Sequence, residues 1–290
     1  MIYYIMTLLA AIGTAGNFAV TQVYQKEMGS GVREGVIFNI FVGLFSGIIF
    51  FVSSGFKLEF TAFSLIMAIL FTLFVGSYTI IGLKIMSMGS ITVYTLFLML
   101  GGVVVPYIYG IVFWRETVNL QKIAALLLVI LGVWLNTSGG KEQRQSVKFL
   151  LLCLAVSLLN GGTSVVSKVH QIEEVYPTIS AQEFVALKNF ARVVCFSLFL
   201  PFCKKNEKTH RLSPKMYAVM LVSAIASGGG YFLQLVCASY MPATILYPMV
   251  TCGTIVAVAA FDRICFGERL NKRTGLSIIA CMAALALFVI

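Results

Sequence analysis

Long apolar runs, broken only by short polar stretches, fill the sequence from end to end. A helix that crosses the hydrocarbon core of a bilayer needs about 20 mostly apolar residues. That length picks out ten segments: 2–25, 34–54, 61–86, 91–113, 118–137, 147–170, 182–203, 215–240, 243–265 and 270–290. A membrane barrel strand needs only about 9–11 residues and alternates apolar with polar positions. These runs are two to three times longer and do not alternate, so strands are excluded as a class. The connections leave no room for a soluble domain. The expectation is an all-α membrane protein of ten transmembrane helices. The first segment has no basic leader and no small-residue cleavage site, and it is expected to stay as a helix.

The two longest polar connections are 137–146 and 204–214, and the first falls almost at the midpoint. Around it the sequence repeats weakly but in order. Residues Thr21 to Gln25 resemble Ser167 to Gln171 at an offset of 146, and Asn39 matches Asn189 at 150. Glu116 and Asn119 match Glu268 and Asn271 at 152, while Tyr78 matches Tyr231 and Tyr94 matches Tyr247 at 153. A unit of five helices ends on the side opposite its start, so a second copy enters the bilayer inverted. Two inverted five-helix repeats are therefore expected, 1–137 and 147–290 with 138–146 as linker. Such repeats are typical of secondary transporters, whose site lies near the midplane between them.

Composition sharpens the picture. Of 290 residues, 59% are hydrophobic and 11% charged, against about 25% charged in a soluble domain. Lipid must be the solvent for most of the exterior. The net charge of +10 is not a nucleic-acid footprint, because the cations sit in short loops beside apolar runs, where lipid headgroups meet them. Membrane lipid is an expected partner and nucleic acid is not. The seven cysteines are odd in number and form no C-x-x-C pair, so they read as packing residues and not as metal ligands. Neither H-E-x-x-H nor G-x-S-x-G nor a P-loop occurs. No catalytic residue, metal or cofactor is expected, and an enzyme is not.

The seventh segment carries the most chemistry. Gln182, Lys188, Asn189 and Arg192 share an arc of about 120° on one helix. Lys188 lies roughly 9 Å and Arg192 roughly 15 Å beyond Gln182. A cation at the bilayer centre costs about 2.5–3.5 kcal/mol on the insertion scale, and two like charges four residues apart repel each other. No Asp or Glu falls deep within any segment. A bound anionic or zwitterionic solute is one partner that relieves Lys188 and Arg192. Snorkelling of Lys188 to an interface, with Arg192 on carbonyls freed at helix breaks, is the other.

Further polar groups inside the segments are Asn17, Tyr78, Tyr94, Asn160, Tyr231, Gln234 and Tyr247, with Gln22, Asn39, Thr163 and Ser164. Each is open to two uses, a helix–helix hydrogen bond or a solute contact. Repeat pairing singles out Tyr78 with Tyr231 and Tyr94 with Tyr247. The candidate substrate-binding set is thus Lys188, Asn189, Arg192, Tyr78, Tyr94, Tyr231, Gln234, Tyr247, Asn17 and Asn160. Gly228 to Gly230, Gly161, Gly162, Pro106 and Pro248 read either as helix breaks or as close-packing points.

Two stretches resemble a known family. One runs from Ser90-Ile91-Thr92-Val93-Tyr94 through Gly101, Gly102 and Pro106 to Trp114-Arg115-Glu116. The other runs from Pro242-Ala243-Thr244 through Pro248 and Gly253 to Phe266-Gly267-Glu268-Arg269. Each is followed by one more helix. Gly16 to Val20 and Gly161 to Lys168 add to the likeness. Together they resemble the drug/metabolite transporter superfamily, EamA type. The resemblance implies a ten-helix transporter with both termini in the cytoplasm. Ala15 and Asn160 stand where many such members carry Trp, so their substrates do not carry over. Small cation exporters of that superfamily use a Glu in the first helix, and this first segment has no acid. Glu116 and Glu268 each precede a helix, where a carboxylate is favoured by unsatisfied amides. Turn-locking and a transport role both remain open for them.

Loop charge gives a different orientation from the resemblance. Of the 21 Lys and Arg residues, 15 fall on the face carrying loops 1–2, 3–4, 5–6, 7–8 and 9–10, and six fall elsewhere. The positive-inside rule then puts both termini outside the cytoplasm. The expected function is secondary transport of a small polar metabolite, anionic or zwitterionic, such as an amino acid or carboxylate. Export of cationic or amphipathic compounds is the alternative, and a non-transport membrane protein such as a receptor is a further one. Short loops without sorting signals favour a bacterial inner membrane.

Overall fold

The computed structural model describes residues 1–29, 31–86, 91–137, 146–203, 212–265 and 272–289. Its helices are α1 (Ile2–Met28), α2 (Val32–Ser53), α3 (Ala62–Met86), α4 (Ile91–Val112), α5 (Leu120–Thr137), α6 (Val147–Ile172), α7 (Ala181–Phe199), α8 (Pro214–Tyr240), α9 (Ala243–Cys265) and α10 (Lys272–Val289). No strand occurs among the described residues. Nine of the described helices are long and apolar enough to cross a membrane, and α5 is a shorter apolar helix. Boundaries fall within a few residues of those expected, because hydrocarbon forces every backbone amide to be satisfied within its own segment. The linker residues 138–145 lie outside the described set.

Helix starts are set locally. Ser146 and Ser213 accept from the amides of Phe149 and Met216, and Pro214 takes the first turn of α8, where an N–H has no partner anyway. At α7 a full capping box forms between Ser180 and Glu183. Glu183 also accepts from the amide of Glu59, tying the start of α7 to the chain before α3.

The outer surface is apolar, as lipid requires. Leu127, Leu151 and Ile279 are each more than 60% exposed. Helix contacts instead use small residues, which let backbones approach in the absence of a hydrophobic drive between helices. Gly230 meets α1 so closely that an added Cβ would lie 2.9 Å from the carbonyl of Ala10. A Cβ on Gly161 would lie 2.4 Å from the carbonyl of Gly101. The glycines of α6 and α8, and both prolines, sit within continuous helices. Close packing is therefore what Gly161, Gly228 and Gly230 serve.

The packing follows a two-fold exchange of the halves. α1 packs on α8 and its counterpart α6 packs on α3; α4 packs on α6 as α9 packs on α1. The pairs α2–α7, α4–α9 and α5–α10 each join a helix to its own counterpart. Residue detail agrees: Gly101 lies against Ser157, and Gly253, 152 residues on, lies against Ala11, 146 residues back. These are the inverted five-helix repeats that the sequence offsets suggested.

Candidate functional site

α7 lies against α2, α3 and α8 and carries the cations of interest. Lys188 is seven residues into the helix and Arg192 eleven, about 10 Å and 16 Å from its start. Where α7 starts at the interface, that length brings Arg192 towards the middle of a ~30 Å hydrocarbon core. Lys188, Asn189 and Arg192 of α7, with Phe71, Thr72, Val75 and Tyr78 of α3, line a cavity of about 120 Å³. A 150 Å³ cavity in a protein core holds a molecule the size of benzene, so this one takes a group the size of a carboxylate with a few further atoms, and the rest of a larger solute would extend beyond it.

Each cation is held by uncharged groups. Lys188 Nζ sits 3.4 Å from the ring centroid of Tyr231 and 4.7 Å from that of Phe71, so two aromatic faces cover it. The Tyr231 hydroxyl is fixed in turn at 2.7 Å from Ser167 Oγ. Arg192 Nε donates to Asn39 Oδ1 at 3.1 Å, and one of its terminal nitrogens donates to the same oxygen. Asn189 donates to Ser46 Oγ at 3.1 Å and to the carbonyl of Val185 at 2.8 Å. Neither Lys188 nor Arg192 has an acidic partner among the described residues. Burial of a cation without a counter-charge is costly.

The other sequence candidates divide. Tyr78 lines the cavity, and Tyr231 bounds it through Lys188. Tyr247 is buried and donates to the carbonyl of Ser164 at 2.6 Å, one turn from the Ser167 that holds Tyr231. Tyr94 packs on the α3–α6 side, its hydroxyl against Gly82. Asn17 accepts from Ser223 at 2.6 Å, and Asn160 donates to the carbonyl of Leu98 at 2.8 Å. These two bonds join α1 to α8 and α6 to α4. Gln234 is half-buried on α8 and makes no hydrogen bond among the described residues.

Phe71, Thr72 and Asn39 were missed as site residues. For Asn39 a signal existed, since it is the repeat partner of Asn189. Phe71 and Thr72 carried none, because an apolar ring and a threonine in an apolar run look like packing.

The face opposite the loop cations is tied by polar contacts. Glu116 accepts from the amides of Ala243 at 2.6 Å and Thr244 at 2.8 Å, and its Oε1 lies 3.5 Å from Lys168 Nζ. A carboxylate at a helix start was expected, but on α5; the structure places it on α9, across the repeats. Glu268 lies outside the described residues. Nearby, His170 and Ser64 are 2.8 Å apart, and Ser64 Oγ accepts from the amide of Ile179.

Residues 147–290, which are α6 to α10, match the model of the EamA-like transporter family. The chain belongs to that family. It is a membrane transporter of the drug/metabolite type, and the matched span begins at the first residue of α6. A protein of known crystal structure superposes on this EamA-like chain with a TM-score of 0.76, covering 96% of this chain and 95% of that one. Its 10% identity shows a shared fold and nothing of substrate. No curated protein matches the sequence.

Proposed function

We propose that this EamA-like chain is a secondary transporter for a small organic anion or zwitterion, such as a carboxylate or an amino acid. The observation that carries this reading is the pair of membrane-embedded cations, Lys188 and Arg192, facing one small cavity with no carboxylate opposite them among the described residues. An anion between them supplies the missing charge and takes up charge-assisted hydrogen bonds that are strong where water is scarce. The aromatic faces on which a cationic solute would rest are occupied by Lys188, which weighs against export of cations.

The repeat architecture supports alternating access. The repeats 1–137 and 147–290 rock about the α2–α7 and α4–α9 contacts and expose the cavity to each face in turn. Loop charge supports termini outside the cytoplasm, in a bacterial inner membrane.

The experiment is uptake into proteoliposomes of labelled L-glutamate and succinate, by wild type and by Lys188→Gln and Arg192→Gln. Saturable uptake lost in both variants is the expected result. Full uptake in both variants would remove the cations from the substrate site.

A further inference from the structure

Resting on the anion reading above, we infer that Asn39 is a specificity-determining gate, its side-chain carbonyl holding the seat on Arg192 that the substrate's charged oxygens take. Two donors of Arg192, Nε and a terminal nitrogen, converge on Asn39 Oδ1. That edge of a guanidinium is a fork whose two N–H groups match the two oxygens of a carboxylate or phosphate. One neutral amide oxygen serves both prongs, which is a poorer use of the fork than two charged oxygens. Asn39 Oδ1 is thus a weak internal stand-in that an anion displaces and an uncharged solute does not.

Position supports the same role. Arg192 lines the inner cavity, whereas Asn39 lines a second cavity of about 260 Å³. Tyr24, Gly29 and Val32 beside the α1–α2 connection and Phe196 near the end of α7 line that outer space as well. The bond from Arg192 to Asn39 is therefore the partition between an outer vestibule and the inner site. A solute arriving from the face of the α1–α2 connection reaches Asn39 first and exchanges with it on Arg192. The amide nitrogen of Asn39 stays anchored to the carbonyl of Gly35 at 2.7 Å, which aims the oxygen at the guanidinium.

The choice of residue follows. An aspartate at 39 would complete a permanent ion pair with Arg192 that no substrate anion displaces, and an alanine would leave the fork vacant. Asn39→Asp and Asn39→Ala should thus move in opposite directions.

The test uses the full chain in detergent, with succinate, L-glutamate and inorganic phosphate as probes of thermal stabilisation. Asn39→Ala should reach half-maximal stabilisation at about one-tenth of the wild-type concentration, and Asn39→Asp should respond to none. Unchanged concentration dependence in Asn39→Ala, or a wild-type response in Asn39→Asp, overturns the role of Asn39. A ligand-free readout accompanies it: the rate at which phenylglyoxal modifies Arg192, followed by mass spectrometry. The expected order is Asn39→Ala fastest, wild type next, Asn39→Asp slowest, and equal rates overturn the proposal. Lys188→Gln and Arg192→Gln separate the two levels. If both respond to the probes as wild type does, the anion reading falls. If they lose the response while Asn39→Asp keeps it, that reading stands and only the gate falls.

Discussion

Lys168 Nζ lies 3.5 Å from Glu116 Oε1 and donates at 2.5 Å to the carbonyl of Met241, so one ammonium joins the α4–α5 turn to the α8–α9 turn. Both side chains are at most 10% exposed, and the ring of Trp114 lies 5.3 Å from the nitrogen. Removing one member of a buried pair strands the other. Glu116→Ala should destabilise the protein by about 3 kcal/mol or more. Adding Lys168→Met should cost much less than its effect alone. Thermal unfolding of the two single variants and the double variant checks this, and additive losses would show that the pair is not coupled.

Neighbouring glycines of α8 should differ sharply. A Cβ on Gly230 would meet the backbone of α1 at 2.9 Å, while nothing lies within 4 Å of one on Gly229. Gly230→Ala should cost about 1–3 kcal/mol through overpacking. Gly229→Ala should be neutral or slightly stabilising, because alanine has fewer unfolded conformations to lose. Equal melting shifts for the two would argue against the α1–α8 contact as described.

The Tyr231 ring and its hydroxyl are separable. Tyr231→Phe keeps the face over Lys188 and loses only the bond to Ser167, worth about 1 kcal/mol. Tyr231→Leu removes the face itself, worth about 2 kcal/mol when desolvated. Uptake should survive the first change and fall in the second. Loss in both would make the hydroxyl the functional group.

Orientation can be read from thiols. Cys265 is exposed at the end of α9, on the face of the loop cations. With termini outside, it should resist a membrane-impermeant maleimide in intact cells. Val175, 82% exposed on the other face, should label as Val175→Cys in a Cys265→Ser background. The reverse pattern would favour the termini-in arrangement.

Ten apolar segments, their near-exact ends and their pairing by repeat were legible in the sequence. Hydropathy is a local property, and a bilayer of fixed thickness turns it into length. Lys188 and Arg192 were legible for the same reason, since a cation in an apolar run conflicts with its solvent wherever the helix sits. What surrounds them was not. Asn39 is 153 residues from Arg192, and Phe71 and Thr72 are more than a hundred from Lys188, so their meeting depends on which helix faces α7.

Glu116 shows the division most plainly. Its sequence position says that a carboxylate will find helix amides, because any helix start leaves four without partners. Which start it finds, that of α9 and not of the adjacent α5, is decided by how the two repeats dock. By itself the sequence determined solvent, helix lengths, repeat and the two cations set within an apolar run, all consequences of neighbours along the chain. Only the tertiary structure decided the cavity, the hold of Asn39 on Arg192 and the latch across α9. Those depend on glycine contacts that bring distant helices within hydrogen-bond reach.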